Sequence, residues 1–260
     1  MSLFGREAAG RRHIDGLDVL RTLAIVGVTL FHMFPERLPG GYLGVSLFFV
    51  LTGFLLAYTS KRSWLEHRFR VKTYYMKRIK RIYPSLFIVL LTTIGVCSFV
   101  LPKAVTAIRP EFLSIVLGYN NWWQIAQDVS YFNALGDPSP LTHFWSLAIA
   151  EQFYLVWPPL LLAMVSMHMS TPSTRRVVLG LAAVSAIAMM VLYNPAADPS
   201  RVYYGTDTRV FSLLLGAWMA FIPDRDLAPV RLAHRLGLDR LVGAARHGKN
   251  AENKQGTKAD

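Results

Sequence analysis

The chain has 260 residues, of which 53% are hydrophobic and only 17% charged, and its formal net charge is +12. Soluble domains are typically about 45–50% apolar and about 25% charged, so this composition argues against a soluble domain and against a disordered chain. Because the sequence contains a single cysteine, Cys97, it excludes an internal disulfide and a cysteine-based metal cluster, and no metal site is predicted.

Long apolar runs predict a polytopic bundle of transmembrane helices, and therefore an all-α fold. A transmembrane helix needs about 20 mainly apolar residues. Pro158 and Pro159 lie within the fourth run and predict a kink in that helix. The sixth run is short but strongly apolar. The six predicted spans cover about residues 17–34, 42–60, 84–101, 144–167, 177–193 and 210–222.

The positive charges alternate along the chain in step with these spans. Lys and Arg number 3, 9, 2 and 8 in residues 1–16, 61–83, 168–176 and 223–260, against five in the alternate set of segments and one, Arg21, inside the first span. This asymmetry follows the positive-inside rule and predicts that both termini are cytoplasmic. A nucleic-acid-binding surface would not alternate with hydropathy, so we expect the lipid bilayer as a partner and no nucleic acid. We expect a membrane domain over residues 1–223 and a basic polar cytoplasmic tail, part of it disordered, over residues 224–260.

Arg21 and His32 are polar residues inside the first predicted span. Their separation of 11 residues is close to three full helical turns, so they share one helix face about 16 Å apart. Ionisable groups within a span are costly, and their default interpretation is functional. The alternatives are that Arg21 is an anchor that reaches the membrane interface, and that His32 is an interfacial polar residue near the helix end.

Glu151 is the only carboxylate well inside a predicted span. Counted along the helices, His32 and Glu151 are predicted at similar depth in the outer half of the membrane. A histidine beside a carboxylate is a usual arrangement for a general base with an orienting partner. A structural ion pair or a polar helix contact is the alternative, and the spacing leaves open whether the two helices touch.

Arg78 and Arg81 lie in a segment that is dense in positive charge. They are three residues apart, so they share one face if the segment is helical. Pairs of guanidinium groups suit phosphate recognition. Ordinary positive-inside charge, or contact with anionic lipid, explains the same pattern.

The second predicted span is rich in small residues. Gly41, Gly44 and Gly53, together with Ser46 and Thr52, permit the close approach of another helix. Packing alone would explain this pattern.

Five sequence blocks, taken in order, resemble the acyltransferase type-three family of bacterial integral-membrane O-acyltransferases. Members of that family modify cell-surface polysaccharides and peptidoglycan. Each block alone is modest, but five in order are highly specific. The matching blocks are the Arg-x10-His pattern from Arg21 to His32, residues 41–55, the Arg-x-x-Arg signature of Arg78 and Arg81, residues 142–155, and residues 203–209.

The resemblance implies a multi-pass enzyme of the cell (inner) membrane, an acyltransferase that transfers groups other than aminoacyl groups. An acyl group, usually acetyl, would pass from acetyl-CoA in the cytoplasm to a hydroxyl of a cell-envelope glycan. Acetyl-CoA would be a donor substrate, and no tightly bound cofactor is expected. His32 would be the catalytic base or a transient acyl carrier, with Glu151 in support. The remaining residues implied are Arg21, Arg78 and Arg81, facing the phosphates of coenzyme A, and Trp145 and Ser146, shaping the site.

Two departures from the family pattern leave other interpretations open. Many relatives carry two consecutive glutamates before Gln152, and here the first is Ala150. Relatives also usually have more spans, so the chain resembles only the first half or so of their membrane domain. It is then a fragment, a truncated product, or a short member that forms a homodimer or needs the missing C-terminal half. The other functions considered are a catalytically degenerate protein or partner subunit, and a small transporter that uses His32 and Glu151 as a proton relay.

Overall fold

The described part of the protein is helical. The computed structural model describes residues 17–34, 36–132 and 139–222, and these contain helices and no strand. The predicted all-α fold is therefore confirmed. The helices are α1 (Leu17–Met33), α2 (Leu43–Leu65), α3 (Val71–Val100), α4 (Pro102–Val116), α5 (Asn120–Ala126), α6 (Phe144–Ser166), α7 (Thr171–Leu192), α8 (Ser200–Tyr204) and α9 (Thr206–Met219), and a 3-10 helix, Pro39–Tyr42, precedes α2.

Four helices are long and apolar enough to cross a membrane: Gly40–Leu65, Val71–Val100, Phe144–Ser166 and Thr171–Leu192. They correspond to the second, third, fourth and fifth predicted spans. The first and sixth predicted spans also correspond to apolar helices, α1 and α9. They have 17 and 14 residues, whereas a span needs about 20. Within the part of the chain that the structure describes, four helices rather than six meet the length of a span. The two chain termini, including the tail predicted over residues 224–260, lie outside the described residues.

The third span begins earlier than its hydropathy indicates. The apolar run starts at Pro84, but α3 begins at Val71, and Pro84 lies inside the helix. The basic residues from 72 to 81 are therefore the first turns of α3 and not a loop. Residues 72–83 contain neither glycine nor proline, so nothing in the charged segment interrupts the helix. Arg78 and Arg81 consequently lie on the same continuous helix whose later turns are apolar enough to cross a membrane.

The core of the bundle forms where α9 packs between α2 and α7. Gly53 on α2 faces the backbone carbonyl of Leu213 on α9, and Gly216 on α9 faces that of Val50, so the two helix backbones approach directly. Leu213 and Ala217 have no exposed surface. All three glycines that the sequence indicated in the second span take part in a close approach, because a Cβ at Gly41 or Gly44 would overlap the backbone carbonyl of Gly27 or Ala24 on α1, as one at Gly53 would overlap α9.

The segment between the third and fourth spans folds into α4 and α5, which hydropathy did not predict. Asn120, Asn121 and Gln124 on the short α5 are fully buried, and each is hydrogen-bonded. Asn121 Nδ2 donates to the carbonyl of Tyr204 and to the hydroxyl of Thr206, at 3.0 and 2.9 Å. Asn121 thus attaches α5 to the chain segment that enters α9, whereas Asn120 and Gln124 donate to Ser114 and Glu111 on α4.

Candidate active site

His32 lies in the last turn of α1, and one of its ring nitrogens is fixed as a donor. Nδ1 is 2.8 Å from the carbonyl oxygen of Val28, which can only accept, so Nδ1 carries the proton. In the neutral ring the lone pair is then on Nε2. The hydroxyl of Tyr131 lies 3.4 Å from Nε2, and the ring of His143 packs perpendicular to His32 with 4.6 Å between centroids. The arrangement can present Nε2 as a general base.

Tyr131 connects His32 to a buried aromatic cluster. Its ring centroid lies 4.4 Å from that of Tyr203 and 5.9 Å from that of Trp145. Burial raises the pKa of Tyr131 above its ordinary value of 10.0. The hydroxyl therefore keeps its proton at neutral pH and donates toward Nε2 of His32. Sequence reasoning missed Tyr131, because it follows α5 in an irregular segment that shows no pattern of its own.

Trp145 and Ser146, predicted to shape the site, differ in their placement. Trp145 is 1% exposed and packs edge-on against Tyr204 and at a tilt against Tyr203. It therefore forms part of the wall behind Tyr131. The Ser146 hydroxyl instead donates to the carbonyl of His143 at 3.1 Å, within the first turn of its own helix. His143 was not predicted as a site residue, although its ring contacts that of His32 directly.

Glu151 and His32 are not brought together. Glu151 follows His143 by eight residues on α6, which places it about 12 Å further along the helix axis. The prediction of similar depth is thus wrong, because His32 lies level with the beginning of α6 rather than with its third turn. Glu151 instead lies against Gly118, which has a φ of +71°, and a Cβ there would be 2.7 Å from Oε2. Its Oε1 is buried and has no hydrogen-bond partner among the described residues.

Glu151 and Arg78 line the same cavity, of about 250 Å³. Most of its other walls are apolar or aromatic side chains of α3 and α6. Arg78 lies at one side, where its Cζ is 4.8 Å from the ring centroid of Tyr154. Arg78 therefore separates the Glu151 cavity from a second, more polar one.

The second cavity, of about 280 Å³, is a cationic pocket between the end of α2 and the beginning of α3. Arg78 and Arg81, three residues apart, both line it, as their spacing predicted. Arg21 does not line it but is half-buried on α1, about 16 Å along that helix from His32. The pocket also contains hydroxyl groups that can donate to phosphate oxygens. Its side chains are those of Thr59, Ser60, Ser63, Arg68, Phe69, Arg70, Thr73, Tyr74, Lys77, Arg78 and Arg81.

The histidine and the cationic pocket lie at opposite ends of α2. Phe31, next to His32, packs against Tyr42 just before α2, with 5.8 Å between ring centroids. Thr59 of the cationic pocket is 17 residues further on, which corresponds to about 26 Å of helix. A histidine and a pocket lined by several cations therefore lie at the two ends of one helix.

Comparison with known proteins identifies the class. Residues 14–234 match a protein family described as "Acyltransferase domain", and the chain belongs to this family. It is 38% identical over 222 residues to the peptidoglycan O-acetyltransferase OatA of Listeria monocytogenes, covering 85% of this chain and 36% of the relative. It is 37% identical over 227 residues to "Putative peptidoglycan O-acetyltransferase YrhL" of Bacillus subtilis, covering 86% and 36%. The chain thus spans about a third of the length of these relatives. No solved structure shows significant similarity to it.

Proposed function

We propose that this chain is a multi-pass domain of the cell (inner) membrane that transfers an acyl group to a hydroxyl of a cell-envelope glycan. The relatives' names favour acetyl as the group and peptidoglycan as the glycan. The observation that carries the proposal is the state of His32. Its Nδ1–H is held by the Val28 carbonyl, so that in the neutral ring the lone pair is on Nε2 and can accept the proton of a hydroxyl.

The chemistry assigned to His32 is general-base catalysis. Nε2 accepts the proton of the acceptor hydroxyl as its oxygen attacks the acyl carbon, and returns that proton to the leaving atom of the donor. Tyr131, at 3.4 Å from Nε2, occupies the position in which a substrate hydroxyl would bind. The acceptor hydroxyl therefore takes over this hydrogen bond when it enters.

The donor we propose is acetyl-CoA, with its phosphates in the cationic pocket. Arg78 and Arg81 supply guanidinium groups there, and the hydroxyls of Thr59 and Ser60 are beside them. Arg21, on another helix, would act further along the donor, between this pocket and His32. The support for a phosphorylated donor is the concentration of cations in one cavity, which a neutral acyl ester would not need.

Glu151 lies between the two ends of this arrangement. Along α6, Tyr154 stacks on Arg78, Glu151 comes one turn earlier, and His143 contacts His32 about 16 Å from Tyr154. A donor that binds at Arg78 and reacts at His32 needs a long flexible arm to cover this distance. The unpartnered Oε1 of Glu151 then meets that arm on its path, in the cavity that Glu151 and Arg78 share. We assign Glu151 to guiding the acyl arm and not to orienting His32.

The test is the transfer of labelled acetyl from acetyl-CoA to envelope glycan in membranes that contain the chain. We expect alkali-labile label on the glycan with the unchanged chain, and none with His32→Ala. The matched control is His168→Asn, because His168 is an exposed histidine with a φ of 50°, which asparagine tolerates. Equal labelling by His32→Ala and the unchanged chain would refute the assignment of His32. No label from any variant would refute the proposed activity of this chain.

A further inference from the structure

Arg209 is a buried cation whose side chain is not fully paired. It lies in the first turn of α9 and is 7% exposed. Its Nε and Nη2 are buried and have no hydrogen-bond partner among the residues that the structure describes. Taking a guanidinium out of water without giving its N–H groups acceptors is costly. Local rules of this kind are broken in native proteins chiefly at functional sites.

The carboxylate nearest to Arg209 in sequence is already engaged. Asp207 accepts two hydrogen bonds from Arg201, at 3.1 and 2.9 Å. Arg209 packs against Tyr203, and its Cζ lies 4.3 Å from the centroid of that ring. A ring stacks on the flat face of a guanidinium. The N–H groups point outward in the plane of the guanidinium and remain able to donate to acceptors there. Nε–H and one N–H of Nη2 lie on the same edge and point the same way, so the two unpaired donors form one fork.

Arg209 belongs to the aromatic cluster that contains His32. Tyr203, on which Arg209 stacks, lies 4.4 Å from Tyr131 between ring centroids, and the Tyr131 hydroxyl is 3.4 Å from Nε2 of His32. The base reaches this cluster from α1 and the cation reaches it from α9. A base and an unpaired two-donor fork are thus placed around the same two tyrosines.

We propose that Arg209 is the oxyanion-binding residue of this site, donating Nε–H and Nη2–H to the carbonyl oxygen of the acyl group during transfer. The inference rests on the proposed function, because it assumes acyl transfer at His32. It adds a residue that neither the family resemblance nor the relatives' names assign. Donors of this kind act by stabilising charge that develops only in the transition state.

The acceptor hydroxyl gives its proton to Nε2 of His32, and its oxygen forms the new bond to the acyl carbon. The π electrons of the carbonyl move onto the carbonyl oxygen, which becomes an anion at the Arg209 fork. On collapse, that pair re-forms the carbonyl, the bond to the donor sulfur breaks with its electrons, and the sulfur takes the proton from His32. No oxidant, reductant or further reactant is needed.

The same fork would also bind a carboxylate carried by the acceptor, and kinetics separate the two ligands. An oxyanion contact exists only in the transition state, so its loss lowers kcat and leaves the KM of the acceptor nearly unchanged. A carboxylate contact exists in the ground state, so its loss raises that KM. The assay uses labelled acetyl-CoA and a soluble fragment of the envelope glycan at varied concentration.

The variants are Arg209→Met, Arg209→Lys and Arg209→Ala, each in the full chain. We expect Arg209→Met to lower kcat by about 10²–10³-fold, as removal of one oxyanion donor does elsewhere, with the acceptor KM within about twofold. Arg209→Lys keeps the positive charge but not the two parallel donors, so its kcat should lie between those of the unchanged chain and Arg209→Met. Guanidinium ion should restore activity to Arg209→Ala, and methylammonium should not, because only guanidinium rebuilds the two parallel donors.

Thermal stability separates this role from a structural one. Replacing an incompletely paired buried cation by an apolar side chain of similar length should leave the Tm unchanged or raise it. The control is Arg201→Met, which should lower the Tm because it leaves Asp207 without its bidentate partner. A fall in the Tm of Arg209→Met as large as that of Arg201→Met would overturn the inference.

The remaining outcomes are also decisive. Near-normal kcat in Arg209→Met with an active unchanged chain would overturn this inference and leave the proposed function standing. A raised acceptor KM with normal kcat would mean that Arg209 binds a carboxylate, which also overturns it. An inactive unchanged chain would refute the proposed function, and this inference with it.

Discussion

The crossing of α2 and α9 has no room for one added methyl group. A Cβ at Gly53 would overlap the backbone carbonyl of Leu213, and a Cβ at Gly216 would overlap that of Val50. A side chain can turn aside from such an overlap, but a helix backbone cannot. Gly53→Ala must therefore push the two helices apart, until the methyl group reaches the ordinary contact distance of 3.4–4 Å from its neighbours.

The cost of this separation follows from what the helices bury. Overpacking in a filled core costs about 1–3 kcal/mol, and α9 here carries Leu213 and Ala217 without exposed surface. We therefore expect Gly53→Ala to lower the free energy of unfolding by an amount at the upper end of this range, about 3 kcal/mol. This corresponds to a fall in Tm of about 6–12 °C for a chain of this size. Gly180→Ala is the matched control. A Cβ there meets nothing within 4 Å, and alanine favours the helix by about 1 kcal/mol, so its Tm should rise slightly.

The assay uses the single cysteine of the chain. Cys97 is 7% exposed, so a thiol-reactive dye added to detergent-solubilised protein reports unfolding as the thiol becomes accessible. The double variant Gly53→Ala/Gly216→Ala should cost less than the two single variants together, because one separation of the helices accommodates both methyl groups. A Gly53→Ala protein that melts with the unchanged chain would show that the close approach of α2 and α9 is not a real constraint. Full additivity would show that the two glycines do not share one contact.

Three further changes test the site and its support. Gln152→Ala removes the hydrogen-bond partner of the Gly118 carbonyl, of Asn121 Oδ1 and of the Thr206 hydroxyl, and the loss of this network should cost about 1–3 kcal/mol in the dye assay. Gln127→Ala, at an exposed position, should cost nothing measurable. Burial raises the pKa of Glu111, on α4 outside the long apolar helices, above its ordinary 4.5, so the folded protein favours its protonated form. Stability should then fall as the pH rises from 4.5 through the raised pKa, and Glu111→Gln should remove this fall. Arg78→Lys keeps the charge but loses the stack on Tyr154, and should raise the KM of acetyl-CoA by about tenfold.

Each of these changes has an outcome that contradicts its argument. If Gln152→Ala melts at the same temperature as Gln127→Ala, the hydrogen-bond network contributes no stability. A pH dependence of Tm that is the same with and without Glu111→Gln would assign that dependence to other groups. An unchanged KM in Arg78→Lys, at both low and high salt, would place the donor phosphates elsewhere.

Local sequence patterns predicted those features of the structure that depend on a single segment of the chain. Apolar runs located the long helices, and the three-residue spacing of Arg78 and Arg81 placed both side chains in one pocket. Sequence periodicity could not show that α1 ends level with the beginning of α6, because that depends on how two distant helices are set against each other. The partner of His32 shows the same limit, because Tyr131 lies 99 residues away in an irregular segment.

The elements that carry the site are joined by hydrogen bonds and not only by apolar contact. Gln152, next to Glu151, donates to Asn121 Oδ1 at 2.8 Å and accepts from the hydroxyl of Thr206 at 2.6 Å. Asn121 is on α5, which leads into the segment of Tyr131, and Thr206 begins α9, which carries Arg209. Lipid chains are as apolar as the helices, so apolar packing alone discriminates poorly between alternative positions of one helix against another. Buried amides are satisfied in only one geometry. The network therefore fixes the relative positions of α5, α6 and α9, and changing it should alter the chemistry at His32 without touching that residue.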